Sequence, residues 1–219
     1  MAVHVGALPW VPPFAQGNVR DLRVRWALEE AGIAYVERLV SVDDQKSAAY
    51  RALQPFGQVP TFEQGDMRLF ESGAIVLHIA EQSEMLLPAD AVARERAKTW
   101  MFAALSSIEP YLMHLAQIDL FSAGEEWAKL RRPGAIADIQ KRFGELAKWL
   151  DGRNYLEDEF TAGDLLMATV LRIPRHTTLV EDEPVLAQYK KRCEARPAFK
   201  RALDAQLATF AKHEPKAAR

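Results

Sequence analysis

The chain has 219 residues, of which 49% are hydrophobic and 26% are charged, and its formal net charge is -2. This composition supplies enough apolar material for one large domain or two modest ones, and the near-neutral charge favours neither nucleic acid nor an anionic membrane as a partner. The single cysteine, Cys193, excludes an internal disulfide framework.

The N-terminal residues and the hydropathy of the chain bear on its location. The sequence starts Met-Ala-Val-His-Val, with no basic flank before an apolar stretch, and no apolar run approaches the roughly 18 residues that a bilayer-spanning helix needs. We therefore expect a cytoplasmic protein with no membrane partner. No Cys-x-x-Cys pair and no Cys/His cluster with metal-ligand spacing occurs, so we expect no bound metal.

Short strands and helices alternate in the first third of the chain. The apolar residues 3–8 run into a loop rich in Pro and Gly, which predicts a strand followed by a loop. A helix follows, because Asn18 and Asp21 have N-cap and N3 spacing and Gly32 stands where a C-terminal glycine is favoured. Further along we predict strands at 35–42, 59–63 and 67–70, the last two joined by a hairpin turn, and helices at 47–53 and 72–82.

The rest of the chain has helical periodicity. Apolar residues recur every three or four positions from Met101 to Leu115, and we expect Pro110 to bend this helix. Thr161 and Asp164 form a Thr-x-x-Asp variant of the capping box at the start of a later apolar helix. Other helices are predicted around 136–150, from about 184 to 194 and from about 197.

The order of these elements predicts the architecture. It is β-α-β-α-β-β-α in residues 1–83 and all-helical in residues 91–212, with a linker at 84–90 where Pro88 and Asp90 interrupt the periodicity. We therefore expect an α/β domain with a small mixed sheet, followed by an all-α domain.

A proline stands at the start of the third predicted strand, in Gly57-Gln58-Val59-Pro60-Thr61. Proline has no N–H to give to a sheet, so its position needs a reason. One reason is a cis Val59–Pro60 bond, which turns the Val59 N–H and C=O outward to pair with an extended ligand. The other is an ordinary trans proline on an edge strand, and the residues alone leave both open.

Glu71 and Ser72 begin the helix that follows the predicted hairpin. A serine at this position is commonly a simple helix cap. A free hydroxyl and free N–H groups at a helix N-terminus also suit a carboxylate, and an adjacent glutamate suits an ammonium group. Together the two residues match the end of an α-amino acid, which carries both groups.

The two motifs together resemble a known family. The run P-x-G-x-V-P at 55–60, followed eleven residues later by Glu71-Ser72, is similar to the glutathione-binding half of cytosolic glutathione transferases, where a thioredoxin-like domain carries both motifs. The capping box at 161–164 and the run R-P-A-F at 196–199 also resemble this family, in its all-helical C-terminal domain. The resemblance covers nearly the whole chain and is poorest at 114–134.

The resemblance implies roles for the residues of the two motifs. Val59 would exchange backbone hydrogen bonds with the cysteinyl part of glutathione, and Pro60 would be the cis-proline of the family. Glu71 and Ser72 would hold the γ-glutamyl end, and Gln58 would belong to the same glutathione site. The family also implies that the protein is a homodimer.

The resemblance further suggests where the other ends of the substrates are bound. Lys46, between the second strand and the second helix, is a candidate for the glycyl carboxylate of glutathione, although it is equally a solvated lysine. Trp10, Phe14, Tyr111 and His114 are candidates for an apolar pocket that holds the second substrate. Each of these four is alternatively an ordinary core residue.

The group that activates the thiol is expected at the start of the first helix. A free thiol has a pKa of about 8.5 and is only slightly ionised at neutral pH. Most family members stabilise the thiolate with a Tyr, Ser or Cys, and aligning R-V-R-x-A-L-E-E at 23–30 puts Asn18 near this position. Asn18 donates through its amide or merely caps the helix, and Arg20 is the second candidate or a solvated surface residue.

These expectations combine into a functional hypothesis. The chain is expected to bind glutathione as a co-substrate and to activate its thiol for conjugation to a small hydrophobic electrophile. One alternative is a glutathione-dependent isomerase, dehalogenase or disulfide reductase with the same fold. Another is a non-catalytic binding protein, which the missing hydroxyl at Asn18 supports.

Overall fold

The computed structural model describes residues 2–215, and its first part is a four-stranded mixed sheet with helices, as predicted. The sheet order is β2-β1-β3-β4, with β1 parallel to β2 and the other two pairings antiparallel. The strands are β1 (Val3–Ala7), β2 (Tyr35–Leu39), β3 (Thr61–Gln64) and β4 (Met67–Phe70), and the helices are α1 (Asp21–Ala31), α2 (Val42–Lys46), α3 (Ala48–Leu53) and α4 (Ser72–Ala80).

The remainder of the described chain is helical, which confirms the predicted fold class of a thioredoxin-like βαβαββα part followed by an all-helical part. The helices are α5 (Ala91–Ala103), α6 (Glu109–Ala116), α7 (Glu126–Leu150), α8 (Ala162–Leu171), α9 (Pro184–Glu194) and α10 (Pro197–Lys212). Five-residue π-helical segments occupy Ala104–Ile108 and Gln117–Phe121, on either side of α6.

The described residues form two compact units. One contains the residues up to Leu86 together with those from Arg196 onward, and the other is Leu87–Ala195. The last helix, α10, therefore packs within the first unit, where Phe199 meets Trp26 of α1 edge to face at 4.8 Å between ring centroids. The predicted domains at 1–83 and 91–212, which put α10 with the other late helices, stay a prediction.

A buried polar network joins α1, β2 and α10. Arg25 donates to the Asp21 carboxylate at 2.6 Å and also to Glu37. From α10, Gln206 donates to Asp21 and Thr209 donates to Glu37, each at 2.7 Å. Because Arg25 and Asp21 are almost fully buried, their partners are needed to offset the loss of hydration. The network thus links α10 to both α1 and β2.

The capping box at the start of α8 is present as predicted. The Thr161 Oγ accepts a hydrogen bond from the Gly163 N–H, and the Asp164 carboxylate accepts one from the Thr161 N–H at 2.9 Å. Asp164 also accepts hydrogen bonds from the Leu156 N–H and the Tyr189 hydroxyl at 2.8 and 2.9 Å. One buried carboxylate thus connects the loop before α8 with α8 and α9.

Two prolines lie within helices of the second unit. Pro110 lies in the first turn of α6, which follows the π-helical segment Ala104–Ile108, and the predicted bend at this proline stays a prediction. Pro133 lies inside α7, which runs through it from Glu126 to Leu150. The region 114–134, where the resemblance to the family is poorest, includes the first residues of this helix.

Asp119 lies in a small cluster of charged residues in the second unit. It accepts a hydrogen bond from Arg132 at 2.8 Å, and His176 Nε2 lies 3.2 Å from its other carboxylate oxygen. Burial acts to raise the pKa of Asp119, but the hydrogen bonds and charges of Arg132 and His176 outweigh it and hold this pKa below its usual value. The ionised carboxylate is therefore favoured in the folded protein.

Replacing Asp119 by Asn is expected to lower the free energy of unfolding at pH 7 by about 0.5–1 kcal/mol. A depressed native pKa stabilises the fold above the unfolded pKa, and this contribution is lost as the pH falls through the native value. The difference between D119N and the natural protein should therefore vanish in acid. Urea unfolding at pH 7 and at about pH 3 measures it, with the exposed Asp158→Asn as control. An undiminished difference in acid would contradict this electrostatic origin.

Candidate functional site

The backbone before β3 contacts residues of α2 and α3. Gly57 has a φ of 63°, and a Cβ at this position would lie 2.8 Å from the Gln45 carbonyl oxygen, so glycine is required. The Tyr50 hydroxyl donates a hydrogen bond of 2.7 Å to the Gln58 carbonyl. These contacts determine the path of the chain immediately before Val59.

The Val59–Pro60 peptide bond is cis, so the alternative of a trans proline is wrong. Pro60 is buried and Val59 is half-buried. The strand starts only at Thr61, and within residues 2–215 no backbone hydrogen bond outside the helices and strands involves Val59. The N–H and C=O of Val59 therefore remain available to an extended ligand.

Glu71 has an unusual backbone conformation, with φ 67° and ψ 113°. It has the one positive φ among the described residues other than glycine, and such conformations are often found at ligand sites. The residue precedes α4, is exposed, and makes no capping hydrogen bond with its side chain. Its carboxylate is therefore not used by the helix and is suited to a cationic ligand group.

Ser72 is the first residue of α4 and not its N-cap, so the simple-cap interpretation of its hydroxyl is wrong. The residue is 5% exposed, and its Oγ accepts a hydrogen bond of 3.2 Å from Nη1 of Arg23 on α1. The start of α4 thus combines N–H groups, a hydroxyl and a nearby guanidinium, which all favour an anion. With Glu71 next to it, the chain offers partners for both charges of an α-amino acid end.

Asn18 lies in a turn before α1, and the helix starts two residues later than predicted. The residue at the N-cap is Arg20, without a side-chain capping hydrogen bond. The Asp21 carboxylate is engaged by Arg25 and Gln206, which explains why it does not act as the N3 partner of Asn18. The interpretation of Asn18 as the helix cap is therefore wrong, and the roles of Asn18 and Arg20 toward a thiol stay predictions.

Lys46 and Gln58 are the other two candidates for the glutathione site, and both are exposed. Lys46 is the last residue of α2, and its Nζ lies 3.1 Å from the Asp43 carboxylate in an exposed pair. Exposed pairs of this kind are weak, so Lys46 can exchange this partner for another carboxylate. The assignment of Lys46 to the glycyl carboxylate of glutathione stays a prediction, and so does the assignment of Gln58 to the glutathione site.

The four candidates for the electrophile pocket are divided between the two units. Trp10 and Phe14 are in the loop after β1, and Phe14 is exposed. The Trp10 indole N–H is buried and has no hydrogen-bond partner within residues 2–215. Tyr111 and His114 both belong to α6. They line a cavity of about 220 Å³, together with Pro110, Arg131, Ala135 and Asp138. The structure thus brings Tyr111 and His114 together, and a shared pocket for all four stays a prediction.

Two residues with a part in this arrangement were not among the sequence candidates. Arg23 contacts Ser72, and Tyr50 holds the Gln58 carbonyl. A signal for Arg23 does exist in the sequence, because R-V-R at 23–25 places two arginines among the apolar residues Leu22, Val24 and Trp26. Buried arginines require specific partners. No comparable signal marks Tyr50.

Residues 2–215 contain neither a metal-binding cluster nor a membrane-spanning helix. No three His, Cys, Asp or Glu side chains are grouped so as to hold a metal ion. None of the helices in this part of the chain has the length and apolar character required to cross a membrane.

Comparison with known proteins identifies the family. Residues 15–81 match the family model for the N-terminal domain of glutathione S-transferases. Glutathione S-transferase 3 of Zea mays is 32% identical over 209 residues, covering 84% of this chain and 88% of that protein. Glutathione S-transferase Z1 of Arabidopsis thaliana is 31% identical over 192 residues, covering 83% and 85%.

Solved structures agree with the sequence comparison. A glutathione transferase of Burkholderia graminis, crystallised with two glutathione molecules per subunit, superposes with a TM-score of 0.80 at 26% identity, covering 99% of this chain and 90% of that one. The glutathione transferase F7 of Populus trichocarpa shares the fold, with a TM-score of 0.79 at 21% identity and coverage of 94% and 99%. The chain therefore belongs to the cytosolic glutathione S-transferase family.

Proposed function

We propose that the protein binds glutathione and activates its thiol for conjugation to a small hydrophobic electrophile. The observation that carries the proposal is the pair Glu71 and Ser72, in which an exposed carboxylate and a buried hydroxyl meet at the start of α4. Val59, with its unpaired backbone groups, supports binding of the peptide's cysteinyl part. The glutathione bound to the Burkholderia graminis relative is consistent with this.

The proposed mechanism requires a group that stabilises the thiolate. Asn18 and Arg20 are the proposed groups, because both lie in the segment between β1 and α1 and both carry N–H donors. A donor or cation near the sulfur lowers the thiol pKa and raises the fraction of thiolate at neutral pH. The thiolate then attacks the electrophile, the new S–C bond forms, and the displaced group leaves with its electron pair or the electrophilic double bond accepts a proton.

The test is the ultraviolet difference absorbance of thiolate when glutathione is added at neutral pH. We expect a thiolate signal with the natural protein, and a loss of about tenfold in kcat/KM with Asn18→Ala. The matched control is Asn154→Ala, since Asn154 is exposed in the second unit. If glutathione binds but its thiol titrates as in water, the protein is a binding protein and not a transferase. If the signal survives Asn18→Ala, Asn18 is not the activating group and Arg20→Met is the next variant.

Other activities of the family are separated by assay rather than by the site. An isomerase, a dehalogenase and a disulfide reductase need the same glutathione site, so a panel of electrophiles, haloalkanes and disulfides distinguishes them. We also propose a cytoplasmic homodimer. The exposed side chains of Phe56 and Phe70, which contact each other at 6.3 Å between ring centroids, support association, and sedimentation measures it.

A further inference from the structure

Arg23 is a buried residue of α1, and its side chain contacts Ser72, the first residue of α4. The residue is only 4% exposed, and its Nη1 donates to the Ser72 Oγ at 3.2 Å. The two helices pack against each other. A guanidinium in such surroundings is held by packing and hydrogen bonds, unlike a surface arginine that exchanges partners with water.

Arg25, the other arginine of the R-V-R run, has different partners. Arg25 is bound by Asp21 and Glu37, and through them it joins α10 to α1 and β2. Arg23 instead reaches Ser72. Arg25 therefore accounts for the attachment of α10, whereas the contact of Arg23 is with a residue of the proposed glutathione site.

The hydrogen bond from Arg23 decides how the Ser72 hydroxyl is oriented. A hydroxyl has one hydrogen to donate and two lone pairs that accept, whereas a guanidinium only donates. When Arg23 donates to the Ser72 Oγ, the hydroxyl hydrogen must turn to another acceptor. At the start of α4, where the helix N–H groups also favour an anion, that acceptor is suited to be a carboxylate.

We propose that Arg23 is a positioning residue for the α-carboxylate of glutathione, acting through the hydroxyl of Ser72. The inference rests on the proposed function, and it adds a specificity: the site discriminates between γ-glutamyl thiols with a free α-carboxylate and those without one. Arg23 need not touch the ligand, since it sets the direction of the Ser72 O–H and adds a positive charge behind it.

The experiment measures Kd by calorimetry for two ligands, glutathione and 4-aminobutanoyl-Cys-Gly, which lacks only the α-carboxylate. With Arg23→Met we expect Kd for glutathione to rise about tenfold, and Kd for the analogue to change less than about twofold. Arg23→Lys should recover part of the loss, because it keeps a positive donor. In turnover, Arg23→Met should raise KM for glutathione and leave kcat nearly unchanged.

A second substitution tests whether Arg23 acts through Ser72. Once Ser72→Ala has removed the hydroxyl, adding Arg23→Met should cost much less than it does alone. Additive losses would overturn the proposed route, and an equal loss of both ligands in Arg23→Met would show a merely structural role. If Arg23→Met does not fold, Arg23→Gln is compared with the same two ligands. Failure of the natural protein to bind glutathione would instead overturn the proposed function itself.

Discussion

Replacing Asp164 by Ala is expected to lower the free energy of unfolding by about 3–5 kcal/mol, a large part of the stability of a typical protein. The Asp164 carboxylate is fully buried and accepts hydrogen bonds from the Leu156 N–H, the Thr161 N–H and the Tyr189 hydroxyl. The alanine leaves these three donors without their partner, together with the Thr161 hydroxyl, which also donates to Asp164 at 3.2 Å. Each such buried donor costs about 1–3 kcal/mol. The loss should therefore exceed that of an ordinary helix cap.

Urea unfolding of the natural protein and the variants measures this loss. Tyr189→Phe is the matched control, because it removes one of the three donors together with its need for a partner, and we expect a loss of about 1 kcal/mol. Asp164→Asn should fall between the two, since its amide oxygen still accepts hydrogen bonds. A loss below about 1 kcal/mol for Asp164→Ala would mean that water replaces the carboxylate.

The double substitution Glu71→Gln with Ser72→Ala is expected to raise Kd for glutathione about 100-fold, from two lost interactions with charged ligand groups at about 1.5 kcal/mol each. Glu71 is proposed to hold the ammonium group and Ser72 the carboxylate of the γ-glutamyl end. Both residues lie at the start of α4, so the substitutions leave the rest of the helix intact. Calorimetric titration with glutathione gives the two Kd values.

The control for this experiment lies at the other end of the same helix. Glu81 and Ser83 follow the last turn of α4, and Glu81→Gln with Ser83→Ala makes the same chemical changes there. We expect Kd to stay within about twofold of the natural value. An equal weakening in both double variants would mean that glutathione is not bound at the start of α4.

Features with a local cause were predictable from the sequence. The capping box at 161–164 needs only two residues three positions apart, and the hairpin between β3 and β4 needs a Gly at its turn, where Gly65 has a φ of 59°. Gly32 likewise ends α1 in the left-handed conformation expected of it. For the candidate site, Val59, Pro60, Glu71 and Ser72 were proposed because two short motifs occur in order, and their roles stay predictions.

Features that depend on distant partners were not predictable. The start of α1 was misplaced because Asp21 serves Gln206, which is 185 residues away in the sequence, and not Asn18. The contact between Arg23 and Ser72 spans 49 residues and follows from the packing of α1 on α4. The propensity of a segment depends on its own residues and can be read from the sequence, whereas these contacts are determined by the tertiary fold.

The packing of α10 against α1 bears on how the protein is made. The proposed glutathione-binding motifs precede α5 in the sequence. The helix α10, which covers Trp26 and supplies Gln206 and Thr209, follows α5–α9 and is synthesised after them. Until then the first unit lacks one side of its core, and the buried Asp21 and the half-buried Glu37 each lack one of their partners. The first unit can therefore complete its own packing only after the helices α5–α9 have been translated.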